Sequence, residues 1–283
     1  MLSQRTALIT GASSGFGLLT TVTLARRGWR VIATMRDLTR RDRLEQAARS
    51  AGILDRIQFH ALDVTSPEQI ATLAAQVAAR PTPLHALVNN AGFAMAGFAE
   101  DVSDAELREQ FETNFFGAAA VTRAFLPLLR RQGLGHIVML SSVSGRMGFP
   151  GVGSYVASKF ALEGWTETLR LEMKPVGIQV VLVEPGSFET DIWTRNRTIA
   201  EGLLRSESPN AGRLARWRAV METSKPRANA QVVADGIAAI LDNPRPGLRY
   251  VFGRDGKMGV WLKRLLPWSL LERLLIKASG MDQ

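Results

Sequence analysis

The stretch "TALITGASSGFG" (residues 6–17) runs a short apolar segment into three glycines, at positions 11, 15 and 17. "TALIT" (6–10) reads as a strand covered on both faces, because its apolar run is continuous rather than alternating. The segment after it must turn sharply, and glycine supplies backbone angles closed to other residues. A strand that passes through such a turn into a helix aims backbone amides and the positive helix end at one point. That arrangement suits a pyrophosphate. A plain tight strand-to-helix turn is the alternative, since the spacing departs from the common G-x-G-x-x-G fingerprint.

The same pattern repeats outward along the chain. "RVIAT" (30–34), "IQFHALDV" (57–64), "LHALVNNAG" (84–92), "HIVMLSS" (136–142) and "IQVVLVEPG" (178–186) are further apolar runs ending in polar residues or glycine. Amphipathic stretches separate them. In "SPEQIATLAAQVAAR" (66–80), Ser66 is expected as N-cap and Pro67 at the first helical position. Strand–helix–strand repetition predicts an α/β fold: one doubly wound Rossmann-type parallel sheet flanked by helices, with a C-terminal helical extension. The expected divisions are a dinucleotide-binding and catalytic domain over 1–256 and an apolar helical extension over 257–283. Within the first, the polar, Arg-rich segment 190–228 is a substrate lid or a surface insertion.

Composition narrows the function classes. The 283 residues are 46% hydrophobic and 22% charged, which suits a globular chain with a sizeable core. No apolar run reaches the length of a transmembrane helix, and "MLSQRTALITG" lacks the regions of a signal peptide, so cytoplasm is the expected location. Cysteine is absent, which excludes disulfides and thiol catalysis. The formal net charge is +9, and eight arginines crowd residues 26–49. With no aromatic stacking motif interleaved, they read as a solvated basic face rather than a nucleic-acid site.

Further motifs follow the glycine turn in order: "LDVT" (62–65), "NNAG" (89–92), Asn114 in "TNFFGA", Ser142 in "LSSVSG", "YVASK" (155–159) and "PG" (185–186). Over about residues 4–191 the chain resembles the short-chain dehydrogenase/reductase family, whose nucleotide turn has the form T-G-x-x-x-G-x-G. "IATMRDL", "AFLPLLRR", "YVASKFALEG" and "GFPG" also resemble its hydroxysteroid and retinol dehydrogenase branch. The resemblance implies a cofactor held by Gly11, Ser13, Ser14, Gly15, Phe16 and Gly17 in the turn. Asp63 would bond the adenine amino edge, with Val64 beside it, and Asn90, Ala91 and Gly92 would lie along the cofactor. Pro185 and Gly186 would approach the nicotinamide, with Thr190 near its carboxamide.

In a dinucleotide fold, the residue closing the second strand reads the adenosine ribose: an acid bonds the 2′-hydroxyl of NAD, and an arginine accommodates the 2′-phosphate of NADP. Thr34 stands where NAD-selective relatives carry an acid, and Arg36 follows two residues later. This favours NADP over NAD, with Ser14 as a helper. Asp37 complicates the reading, because it can pair with Arg36 or face solvent. No metal is expected.

Tyr155 and Lys159 are four residues apart, so they share a helix face. An unperturbed phenol, with pKa near ~10, is a poor acid–base catalyst at neutral pH. A neighbouring ammonium and an oxidised nicotinamide would favour phenolate and lower that value. By resemblance, Tyr155 exchanges the proton, Ser142 bonds the substrate oxygen, Lys159 also holds the nicotinamide ribose, and Asn114 anchors a proton-relaying water. The expected reaction passes hydride between nicotinamide and an alcohol or carbonyl. A non-catalytic NADP-sensing protein would have no need of this tetrad. A 3-oxoacyl-thioester reductase is the competing enzyme reading, although such relatives end soon after the last strand and this chain continues.

The substrate is written less clearly. Phe93, Ser142, Val143, Ser144, Met147, Gly148, Phe149 and Trp193 are expected near the reacting oxygen. Their apolar or small character predicts an apolar alcohol or carbonyl, such as a steroid, retinoid or long-chain aldehyde. The extension alternates leucines and tryptophans with cations, and Pro267 splits it. Two short helices packing over the pocket or against a partner are the favoured reading, and contact with an anionic membrane surface is the other. The resemblance also implies a homodimer or homotetramer.

Overall fold

Alternate residues of the first strand serve two different cores. Ala7 and Ile9 face one apolar layer and Leu8 the other, as the period of two in a strand requires. The computed structural model describes residues 5–190, 192, 197–205, 207–213, 216 and 228–281. Its first half runs β1 (Thr6–Ile9), α1 (Gly15–Arg26), β2 (Arg30–Met35), α2 (Asp42–Ser50), β3 (Ile57–Ala61), α3 (Pro67–Ala78) and β4 (Ala86–Asn89). Next come β5 (Ala94–Ala96), α4 (Asp104–Phe111), α5 (Ala118–Gln132), β6 (Gly135–Leu140), α6 (Gly153–Met173) and β7 (Ile178–Pro185). The remainder holds β8 (Arg197–Ile199), α7 (Glu201–Leu204), α8 (Gln231–Asp242), β9 (Arg249–Phe252), α9 (Arg254–Leu265) and α10 (Trp268–Ala278).

Seven strands form one parallel sheet in the order β3-β2-β1-β4-β6-β7-β9. Helices α1, α2 and α8 cover one face through Leu24, Leu44 and Ile237. Helices α3, α5 and α6 cover the other through Leu73, Phe125 and Leu162. The chain winds outward from β1 to β3, then returns past β1 to β4. The strand order therefore reverses between β1 and β4, where a crevice opens beyond the carboxyl ends. A small parallel pair, β5 and β8, stands beside that crevice.

The doubly wound fold expected from the sequence is the one observed, with local differences. Ser66 caps α3 by accepting from Gln69 N, and Pro67 opens the helix, as expected. The run 84–92 pairs only over 86–89, because Asn90 N and Ala91 N leave the ladder to donate to Thr10 Oγ1. Runs 57–64 and 136–142 likewise end early, at Ala61 and Leu140, where the chain turns into the crevice. Edge strand β9 adds a seventh member that apolar runs did not reveal, being short and opening on Arg249. Helices α9 and α10 flank Pro267, and α9 starts inside the expected boundary at residue 256. Much of 190–228, the expected lid, lies outside the described residues. Arg27 pairs with Asp242, and Arg41 and Arg49 pair with Glu45, which occupies part of the basic face with ordinary surface ion pairs.

Two glycines separate packing from propensity. A Cβ on Gly17 would lie 2.3 Å from Gly11 O and 2.5 Å from Asn90 Nδ2. Gly164, inside α6, would meet nothing within 4 Å. Gly17→Ala is expected to cost about 1–3 kcal/mol through overpacking, and Gly164→Ala to add up to about 1 kcal/mol through helix propensity. Urea unfolding of both variants checks the opposite signs.

Candidate active site

The glycine turn is held from across the crevice. Asn90 Nδ2 donates to Thr10 O at 2.8 Å and Gly11 O at 2.9 Å, tying the end of β4 to the turn after β1. Gly11 (φ +67°) and Gly15 (φ +53°) adopt left-handed angles that a side chain would strain. At Gly11 a Cβ would also stand 2.8 Å from Ala91 Cα. Ser14 is the N-cap of α1 but makes no side-chain bond to its amides, and the first turn carries no acid. The helix thus opens toward the crevice with its positive end, a cradle that fits an anionic pyrophosphate.

A cleft of about 480 Å³ follows from this turn. Gly11, Ser13, Ser14, Gly15 and Phe16 line it, along with Asp63, Val64, Asn90, Ala91, Gly92, Pro185, Gly186 and Thr190. Gly17 is buried behind, as the packing position. At the end near β2, one expectation needs correction. Thr34 is fully buried, bonds Ile9 O and does not line the cleft, since β2 continues to Met35. Arg36 lines the cleft there, with Met35, Asp37 and Arg40. Asp37 neither pairs with Arg36 nor simply faces water: it accepts from Thr39 N at 2.9 Å and Thr39 Oγ1 at 2.7 Å. Those bonds hold its carboxyl below the ordinary range. Asp63 makes the same turn with Thr65 while lining the cleft. Arg40 was not singled out from the sequence, because its approach depends on the turn that Asp37 caps.

At the other end, α6 brings Tyr155 and Lys159 to the cleft, and the loop after β6 brings Ser142. Tyr155 is 4% exposed and Lys159 5%. Lys159 Nζ lies 5.7 Å from the centre of the Tyr155 ring and donates to Leu140 O at 2.7 Å. Asn114 sits in a π-helical turn, Glu112–Gly117, a local widening that often marks functional positions. Its amide bonds both backbone polar groups of Phe93 and donates to Ser158 Oγ at 3.2 Å. Asn114 is therefore buried behind the cleft wall, one side chain away from α6.

The residues expected around the substrate divide. Phe93 and Ser142 line the cleft. Val143 and Met147 instead face α9, Ser144 is buried with its amide on Ser142 Oγ, and Gly148 is exposed. Phe149 packs with Tyr155 in a third apolar cluster, together with Ala94 and Leu203. Trp193 lies outside the described residues. Phe188 and Ile192, which no motif marked, complete the apolar lining, and Phe188 meets Phe16 edge to face at 5.7 Å.

Residues 5–200 match the family described as short chain dehydrogenase. The chain belongs to that family. It is an oxidoreductase acting on CH–OH and C=O groups. Among curated proteins, it is 39% identical over 278 residues to the uncharacterized oxidoreductase YusZ of Bacillus subtilis, covering 98% of this chain and 99% of that one. It is 42% identical over 192 residues to human retinol dehydrogenase 8, covering 67% and 60%. A short-chain dehydrogenase structure from Streptomyces avermitilis superimposes with TM-score 0.81 at 34% identity, over 99% and 100% of the two chains. A Burkholderia phymatum member (28% identity, TM-score 0.78, 93% of both chains) was solved with NAD. A metagenomic member (25% identity, TM-score 0.69, 88% and 96%) was solved with NADP.

The electrostatics of this dehydrogenase differ from the simple expectation of a lysine-lowered phenol. Burial pushes Tyr155 up to about 12, and a hydrogen bond from Ser142 opposes that shift. Burial also pushes Lys159 down to about 8, against the pull of Glu163. Both side chains are thus biased toward their neutral forms, because desolvation outweighs the opposing influence of Ser142 on one and Glu163 on the other.

Behind Lys159 lies a charge cluster that motif reading left unassigned. Arg249 meets Glu163 at 2.9 Å and Glu184 at 2.9 Å and also pairs with Glu167, while Arg146 meets Glu184 at 3.3 Å. Burial, then the Glu163 carboxylate, pushes Glu184 up to about 7 despite the two arginines. The folded enzyme holds that proton more tightly than the unfolded chain does. Stability from this group is present below the ordinary glutamate range and lost as pH rises through about 7. Arg249→Met leaves the buried Glu163 without its ion partner and Glu184 with Arg146 alone, and is expected to cost about 3–5 kcal/mol at pH 8. The loss should shrink at acidic pH, where those carboxyls take up protons. Urea unfolding at the two pH values checks it.

Proposed function

We propose that the protein is an NADP-dependent oxidoreductase of apolar alcohols and carbonyls, with a steroid, retinoid or long-chain aldehyde or ketone as substrate. One observation carries the reading: a single cleft joins the open amide end of α1, the cations Arg36 and Arg40, and the Ser142–Tyr155–Lys159 group. The carboxylate that would otherwise compete at the ribose end, Asp37, is engaged by Thr39. A 2′-phosphate there gains charge-assisted bonds from arginine. Phe93, Phe188 and Ile192 give the substrate end its apolar character. A homodimer or homotetramer and a cytoplasmic location belong to the same proposal.

A bound nicotinamide dinucleotide supplies or takes up the hydride. The Tyr155 hydroxyl gives a proton to the substrate oxygen in reduction and takes it back in oxidation. Ser142 donates to the same oxygen as negative charge develops there. Lys159 holds the ribose hydroxyls and, while protonated, favours the phenolate that proton transfer leaves on Tyr155. Asn114 fixes the Phe93 backbone and Ser158, and anchors the proton path from Lys159 to solvent. With burial holding its phenol up at about 12, Tyr155 is protonated at neutral pH, the form that donates to a carbonyl oxygen.

Nicotinamide absorbance with a panel of apolar ketones and aldehydes tests the reading. Tyr155→Phe is expected to lose about 10²–10⁴-fold in turnover while still binding NADPH by fluorescence titration. Equal turnover would remove Tyr155 from its role. Arg36→Glu should weaken NADPH at least about tenfold relative to NADH, a shift near 1.4 kcal/mol; an unchanged ratio would remove the NADP assignment. The rate of carbonyl reduction should fall as pH rises through about 8, as the Lys159 ammonium is lost.

A further inference from the structure

Helix α9 carries its small residues inward and its large apolar residues outward. Gly256 and Gly259 face the body: a Cβ on Gly256 would lie 2.8 Å from Val143 Cγ1, and one on Gly259 2.9 Å from Met147 Cε. Lys263 is on this inner side as well, its ammonium donating to Arg146 O. At about 100° per residue, Met258, Trp261 and Leu265 fall on the opposite face. All three are exposed. An amphipathic helix packed on a core would show the reverse arrangement. In α10, Leu271 is buried, while Leu270 and Leu274 on one side of it and Trp268 on the other are exposed. Trp261 and Trp268 are each 60% exposed.

The charge around this surface selects its occupant. Leaving aside the inward-turned Lys263, five cations, Arg254, Lys257, Arg264, Arg273 and Lys277, occur in 254–281 with two acids, Asp255 and Glu272. Asp255 is already engaged by Ser187 N at 2.8 Å. Lys257 and Arg264 border the outer stripe of α9, and Arg273 and Lys277 border Leu270 and Leu274 on α10. A two-fold pairing of this patch with a second copy would press a cationic rim onto itself. A surface rich in anionic headgroups would instead meet the cations while the leucines and tryptophans enter the acyl boundary. Tryptophan suits that boundary, with an apolar ring and a polar N–H.

We propose that α9 and α10 form a peripheral docking surface for an anionic lipid bilayer. Neither helix crosses it; the outer apolar stripe lies in the headgroup region and the flanking cations pair with lipid phosphates. Sedimentation of the full chain with phosphatidylcholine vesicles, with and without about one-third phosphatidylglycerol, tests this. The parent is expected to bind the anionic vesicles at least about tenfold better, and raised salt should weaken the binding. Two paired variants, Lys257→Glu with Arg264→Glu and Trp261→Ser with Leu265→Ser, should each lose about tenfold in binding. Their changed side chains point away from the core, and unchanged urea midpoints confirm that folding is intact. Absence of vesicle binding, indifference to lipid charge, or binding that survives either pair overturns the proposal. Self-association abolished by Trp261→Ser with Leu265→Ser, without vesicle binding, also overturns it and assigns the face to a second copy.

Discussion

The grip of Asn90 on the carbonyls of Thr10 and Gly11 fixes the two strands between which the whole crevice opens. The chain leaves β1 and β4 toward opposite faces of the sheet, and beyond the bond from Thr10 N to Val88 O no ladder ties the two exits together. A side-chain amide with two donors does so here. Its cost is steric: Gly17 and Gly11 have no room for a Cβ, since Asn90, Ala91 and the turn's own carbonyl already occupy the space. With that contact in place, α1 points its open end into the crevice and the rest of the cleft follows in register.

The same compactness sets the electrostatics at the far end. Tyr155 and Lys159 are drawn out of water by α6, and both are pushed toward neutrality. The lysine keeps company with the Leu140 carbonyl and, one turn on, with Glu163, which belongs to a larger cluster with Arg249, Glu184 and Arg146. Buried ion clusters of this kind contribute little net stability, yet losing one partner is expensive. Their effect here is placement, because Arg146 follows the Ser142 loop and Arg249 opens the edge strand.

Amphipathic sequence alone does not say which side of a helix meets the protein. The C-terminal leucines and tryptophans suggest a core-facing surface, and the two-helix arrangement around Pro267 was legible in advance. Gly256 and Gly259 reverse the orientation of α9, because only residues without bulk fit against Val143 and Met147. The apolar stripe is left outside as a consequence.

The sequence by itself determined the doubly wound sheet, the glycine turn and the shared helix face of Tyr155 and Lys159, because these depend on local periodicity and on spacing within single elements; Ser142, on another element, joined them only through family resemblance. It did not reveal Thr34 turning into the core, Asp37 capping Thr39, or Arg40 and Phe188 joining the cleft. It also gave no sign that Glu163 and Glu184, one on a helix and one on a strand, would share Arg249. Such facts depend on which side chains distant segments bring within a few ångströms, and on how much water they exclude. Only the packed tertiary structure decides either, since desolvation and pairing arise between elements rather than within them.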